Sequence, residues 1–215
     1  MMQKLYPPAE TSDRFFAALQ KAARSAPHIP AEILTELCMN WGNENWPAKE
    51  ELLAAIAAHA WETQGTILEC GCGLSTVLLA LIARHKGQRV VSIEHIEDYA
   101  IAIRSTLRRF DLGNVELLVS PLVAYQDYDW YEIPEGTFRE QDISLVVCDG
   151  PPEATRGCRH GVIPVTLPFL RHGAVLLLDD VQAGGAFVLA RWKKEYGLEA
   201  VIEGVVKPYG RIVIP

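Results

Sequence analysis

Glu69, Gly71, Gly73 and Glu94, with the later acids Asp149, Asp179 and Asp180, are the residues whose types and spacing could do chemistry. In ILECGCGLST, residues 67–76, an apolar run meets Glu69, two glycines follow two apart, and Ser75-Thr76 open a long apolar segment. Glycines at such a place let the backbone turn sharply after a buried strand, and let a ligand approach with no β-carbon in the way. Thr76 departs from the dinucleotide fingerprint, which wants glycine there. Glu94 closes VVSIE, at the separation from Gly73 where a carboxylate can accept hydrogen bonds from ribose hydroxyls. Glu69 would repel a pyrophosphate and attract a cationic amino group. The loop therefore predicts a nucleoside that carries positive charge.

The second constellation is acidic. VVCDGPP places Asp149 at the end of one apolar run, and AVLLLDDV places Asp179 and Asp180 at the end of another. Carboxylates gathered at partly buried strand ends repel, so one must protonate or a cation must compensate. A hard divalent cation with oxygen ligands, Mg2+ above all, would do so. The bland alternative is that Asp-Asp caps the following helix. Arg156 and Arg159, in PPEATRGCRHG, offer either a clamp for a carboxylate or phosphate or two surface arginines.

These residues need elements to position them. TILEC, RVVSIE, VELLVS, ISLVVCD and AVLLLDD read as strands, with STVLLALIARHK, EDYAIAIRSTLRRF and VIPVTLPFLRH as helical segments between them. Alternation of this kind means crossover connections and a parallel sheet covered on both faces. LEAVIEGVV and GRIVIP, separated only by KPYG, suit an antiparallel hairpin. The expectation is a doubly wound α/β sheet of about seven strands ending in that hairpin. Residues 12–60 read as helical, broken by MNWGNENWP. Trp41 and Trp46 there would close over a ligand as a lid, or fasten the helices to the core. Tyr128, Trp130 and Tyr131 would form an aromatic wall or pack an irregular loop.

The 215 residues, 49% hydrophobic, suffice for one sizeable core and are few for two. A net charge of −7 argues against nucleic acid as the default partner. No run reaches membrane-spanning length, and the first residues lack the apolar stretch of a signal peptide, so the expected location is cytoplasmic. Five cysteines, mostly in apolar runs, fit reduced thiols, and the Cys70/Cys72 pair has no second pair to complete a metal site.

Glu69-x-Gly71-x-Gly73, Glu94, Ser120 after the third strand, Asp149 after the fourth and the terminal hairpin together resemble class I S-adenosylmethionine-dependent methyltransferases. The resemblance covers roughly residues 60–215. It implies a Rossmann-like methyltransferase domain over 61–215 and a helical extension or lid over 1–60. It also implies that Gly71, Gly73 and Ser75 line the cofactor, that Glu69 holds its amino group directly or through water, and that Glu94 binds the ribose diol. Ser120-Pro121-Leu122 would approach adenine, with His95 or Ile96 on its face.

The three aspartates are similar to those of cation-dependent O-methyltransferases, which implies Mg2+ held by Asp149, Asp179 and Asp180 and a small-molecule hydroxyl as acceptor. Catechol-type enzymes place a lysine where this sequence has Pro152. Either a base then comes from elsewhere, with His160 or Glu153 as candidates by proximity in sequence, or the metal alone lowers the hydroxyl pKa, with Asp149 as the catalytic acid residue on it. An aminopropyltransferase, an NAD-linked oxidoreductase and a protein that only sequesters the cofactor are the rivals. The apolar N-terminal helices could pack on their own core or on a second copy in a homodimer.

Overall fold

The computed structural model describes residues 12–42, 48–182 and 184–215. Among the described residues three helices come first: α1 (Ser12–Ser25), α2 (Ala31–Asn40) and α3 (Glu50–Glu62). β1 (Thr66–Cys70), α4 (Leu74–Lys86), β2 (Val90–Glu94), α5 (Glu97–Arg109) and β3 (Val115–Val119) follow as alternating units. Then come a short pair, β4 (Leu122–Ala124) and β5 (Asp129–Tyr131), and β6 (Ile143–Cys148). The last part holds α6 (Val162–Thr166), β7 (Leu170–Leu178), α7 (Gly184–Tyr196), β8 (Ala200–Glu203) and β9 (Tyr209–Val213).

Seven strands form one sheet in the order β3-β2-β1-β6-β7-β9-β8. β3, β2, β1, β6 and β7 run parallel, whereas β9 is antiparallel to both β7 and β8. β1, β2 and β6 are buried along their whole length because both faces are covered. The strand period of two divides the central strands: Ile67, Leu145, Val147 and Leu177 pack on one face with α1–α5. Leu68, Cys70, Val146, Cys148, Leu176 and Leu178 pack on the other with β5, α6 and α7. The N-terminal helices thus share a core with the sheet, and Trp41, 1% exposed, lies against Phe15 at 5.2 Å between ring centroids. That contact fits the fastening role for Trp41; Trp46 lies outside the described residues.

Three segments differ from the expectation. VIPVTLPFLRH is helical only at its start: after α6 comes a 3-10 turn, Leu167–Phe169, and β7 has begun by Leu170. The crossover from β3 to β6 carries no helix but the antiparallel β4–β5 pair, too short and too aromatic to announce itself. Tyr128, Trp130 and Tyr131 are buried there, so they pack the core rather than wall an acceptor site. The strand of LEAVIEGVV stops at Glu203, and Val205 and Val206 turn towards β9. Their amides donate to the Glu51 carboxylate at the start of α3, which pins the hairpin tip.

Parallel strands end on one rim of a sheet, and that is where such folds bind ligands. Here the rim gathers the ends of β1, β2, β6 and β7. Because β9 runs the other way, with Gly210 opposite Leu178, its beginning and the turn before it reach the same rim. That turn carries Lys207.

Candidate active site

The glycine turn is built as its residues dictate. Gly71 has φ +87, where side chains are strained, and a β-carbon on it would lie 2.8 Å from the Gly150 nitrogen and 2.9 Å from its α-carbon. Glycine is required here by a backbone seam between the ends of β1 and β6. Gly73 is different. Its backbone is extended, and a β-carbon there would meet nothing nearer than the Tyr99 hydroxyl at 3.8 Å, so the space before it is open to a ligand. Thr76, which breaks the dinucleotide pattern, accepts a hydrogen bond from the Gly73 amide at 2.8 Å and donates one to Glu69 Oε2 at 2.6 Å. It closes the first turn of α4 in the manner of a capping box.

Glu69 is fully buried. Its Oε2 also accepts from the Ser92 hydroxyl at 2.6 Å, while Oε1 has no partner. Burial pushes its carboxyl up to about 7, against the pull of the nearby Ser75, Ser92 and Thr76 hydroxyls. Glu94 is buried at the end of β2, accepting at Oε2 from the Cys72 amide (3.2 Å) and at Oε1 from the His95 and Ile96 amides (2.7 and 2.9 Å). Burial alone would raise its pKa, but His95 and these amides outweigh it and hold the carboxylate below its ordinary value. His95 Nδ1 is 2.9 Å from Glu94 Oε1. Ser120 is buried beside them, its amide donating to the Glu94 carbonyl, and Leu122 starts β4 opposite Tyr131. Ser75 is buried in the first turn of α4. Glu69, Gly71, Gly73, Ser75, Glu94, His95, Ser120 and Leu122 thus lie at the ends of β1, β2 and β3 and in the turns that follow.

Tyr131, expected in an aromatic wall or as loop packing, reaches this neighbourhood. Its hydroxyl is buried without a partner and lies so close to Gly150 that a β-carbon there would strike it. The packing alternative covers its burial, but nothing in the aromatic run placed its hydroxyl beside Gly150.

The three aspartates come together as expected, each offering an oxygen within 4.8 Å of the others'. They are not alone. Arg159, 4% exposed, donates to the carbonyls of Pro151, Asp149 and Asp179 and to the carboxylates of Asp149 (3.3 Å) and Asp180 (2.8 Å). Lys207 Nζ lies 2.5 Å from Asp179 Oδ2 and 2.8 Å from Asp180 Oδ1. Burial and the neighbouring Asp179 push Asp149 well above the usual carboxylate range. Asp180 goes the other way, because Arg159 and Lys207 outweigh the effect of burial. Three oxygen donors suit a hard divalent ion in kind. Their arrangement does not fit one, since an ammonium already bridges two of the three.

Other expectations are corrected by packing. His160 is 1% exposed and turned away from the acids, its ring between Tyr128 and Tyr196 and its Nε2 3.6 Å from Glu195 of α7. Burial lowers its pKa, but it faces no acceptor position. Glu153 accepts from the Gly184 amide at the start of α7. Arg156 is committed to Asp129 and to the carbonyls of Tyr125, Gln126 and Tyr128. Neither arginine is left as a clamp. Lys207 carried a weak signal: three gathered acids demand a cation, and KPYG supplies one in the turn that reaches their rim.

A family described as a methyltransferase domain matches residues 68–181, from within β1 through the residue after Asp180. The chain belongs to this methyltransferase family. Its fold recurs in solved structures. Rv0187 from MTB, in a cofactor-bound structure, is 21% identical with a TM-score of 0.59, over 94% of this chain and 90% of that one. The O-methyltransferase from Bacillus cereus, in complex with SAH, is 17% identical with a TM-score of 0.58, over 97% and 92%. The SAH-bound Podospora anserina methyltransferase PaMTH1 is 16% identical with a TM-score of 0.58, over the whole of both chains. At these identities the likeness is one of fold. Among curated proteins the search finds no match. The class I methyltransferase expected from Glu69, the two glycines, Glu94 and the terminal hairpin is borne out, with its Rossmann-like sheet. Among the described residues no helix is long and apolar enough to cross a membrane.

Proposed function

We propose that this methyltransferase binds S-adenosylmethionine at the rim of β1 and β2 and transfers its methyl group to a hydroxyl oxygen of a small molecule. The observation that carries the reading is Glu69: a buried carboxyl directly behind the glycine turn, with one oxygen unpartnered. An ammonium group would satisfy that oxygen and favour its charged form, where a phosphate would not. Glu94, held ionised by three backbone amides, has lone pairs left for a ribose diol. Gly73 leaves room for the chain between those two groups, Ser120 and Leu122 border the adenine end, and His95 offers a ring face. The helices before β1 share a core with Cys72 and Leu74, so they form an extension that shields the turn from one side. The oxygen acceptor is supported by the O-methyltransferase from Bacillus cereus, and the acidic net charge makes nucleic acid an unfavourable one.

When bound, S-adenosylmethionine supplies an electrophilic methyl group. The protein's part is then alignment of the acceptor oxygen with that methyl, and removal of the hydroxyl proton. Asp149, the one of the three acids that Lys207 does not bridge, is the group placed to take that proton when ionised. Mg2+ would enter this site only by displacing Lys207.

Calorimetric titration with S-adenosylhomocysteine tests the reading. Micromolar binding, weakened more than about tenfold in Glu94→Ala (about 1.4 kcal/mol), is the expected result. Asp149→Asn should keep that binding and lose turnover of hydroxyl acceptors by about a hundredfold or more. No binding by folded protein would end the cofactor assignment, and binding without turnover of any hydroxyl acceptor would leave a protein that sequesters the cofactor.

A further inference from the structure

The three-aspartate cluster lies at the ends of β6 and β7, and its cations come from two places. Arg159 arrives from the loop after β6, and every nitrogen of its guanidinium is bound to the two strand ends. Lys207 arrives from the turn before β9, and two of its ammonium protons are accounted for by Asp179 and Asp180. Three carboxyl groups face two fixed positive charges.

We infer that Lys207 occupies the place of a divalent cation in this methyltransferase, so that the aspartate cluster works without a metal and the ammonium is the positioning group on the acceptor side. The inference rests on the methyltransferase reading of the rim. Geometry carries it. A magnesium ion would need oxygens at about 2.0–2.1 Å in near-octahedral array, several of them from water. The ammonium instead bridges Asp179 and Asp180 at hydrogen-bond distance, filling the gap between them. A divalent ion added beside it would meet two like charges a few ångströms away. Lys207 is also held in place, because Val205 and Val206 of its turn are fastened to Glu51. Its side chain is 25% exposed, so one ammonium proton remains for a partner arriving at the rim. An acceptor oxygen is such a partner. An ammonium there stabilises developing negative charge on that oxygen, as a metal would, through a single directed hydrogen bond.

The test uses Mn2+ as the metal probe, read by electron paramagnetic resonance on the full chain, with S-adenosylhomocysteine binding measured in parallel. The wild-type protein should bind Mn2+ no better than millimolar. Lys207→Ala should tighten Mn2+ binding at least tenfold by opening the gap, and adding Asp180→Asn should abolish the gain. Lys207→Arg, which restores a cation, should not bind the metal. Micromolar Mn2+ on the wild-type chain, lost in a folded Asp180→Asn, overturns the inference. Folded Lys207→Ala with no gain in Mn2+ affinity overturns it too, since the ammonium would then not be holding a metal's place. Loss of S-adenosylhomocysteine binding by the wild type would instead strike the cofactor reading, and the two failures are separable.

Discussion

Glu69 is a carboxyl that water does not reach, and in the proposed cofactor site its protonation would decide how the turn meets an amino group. In the folded protein its pKa lies at about 7, against an ordinary value of 4.5. With the folded value raised, the stability it contributes is fully present below about 4.5 and is lost as pH rises through about 7. A cationic ligand wants the opposite, ionised state. Binding of S-adenosylhomocysteine near neutrality should therefore expel a proton from Glu69, and affinity should weaken as pH falls from about 8 to about 6. Titrations in two buffers of different ionisation enthalpy would count that proton. Glu69→Gln should flatten the pH dependence; an unchanged profile in that variant would remove the carboxyl from the binding step.

The seam between the turns after β1 and β6 is set by backbone. Gly71→Ala would put a β-carbon against Gly150 backbone in a left-handed conformation, and neither cost can be relieved by rotating a side chain. The variant should be destabilised by roughly 1–3 kcal/mol and bind S-adenosylhomocysteine at least tenfold more weakly. Thermal unfolding and calorimetry would read the two effects, and a variant as stable as wild type would mean the seam is more compliant than its distances suggest. Much of this level was legible beforehand. β1, β2, β6 and β7 are buried on both faces and so wrote themselves as apolar runs, and carboxylates at their ends were readable as rim residues. The β4–β5 pair was not, because three-residue strands are shorter than any period that could reveal them. His160 and the two arginines misled for a related reason. Nearness in sequence to Asp149 says nothing of which way a side chain leaves an irregular loop, and only packing against α7 or β4–β5 decides it.

The Glu51 carboxylate joins α3 to the turn before β9. Glu51 lies on the surface of α3, with its pKa held below the ordinary value by the Val205 and Val206 amides. Removing it should leave the core intact and loosen the hairpin tip. Glu51→Ala is expected to speed hydrogen exchange at the Val205 and Val206 amides by about tenfold or more, with little change in melting temperature. Equal exchange would show that the strands alone hold the tip. β9, inserted between β7 and β8, has a further consequence for how the protein is made. While the chain is still on the ribosome and Tyr209–Val213 have not emerged, β7 has a bare edge carrying Leu176, Leu177 and Leu178. The carboxylates beyond it meanwhile lack one of their two cations. Until β9 docks, the nascent polypeptide thus holds an unpaired β7 edge beside acids that lack a counter-charge, a stage at which chaperones would find it.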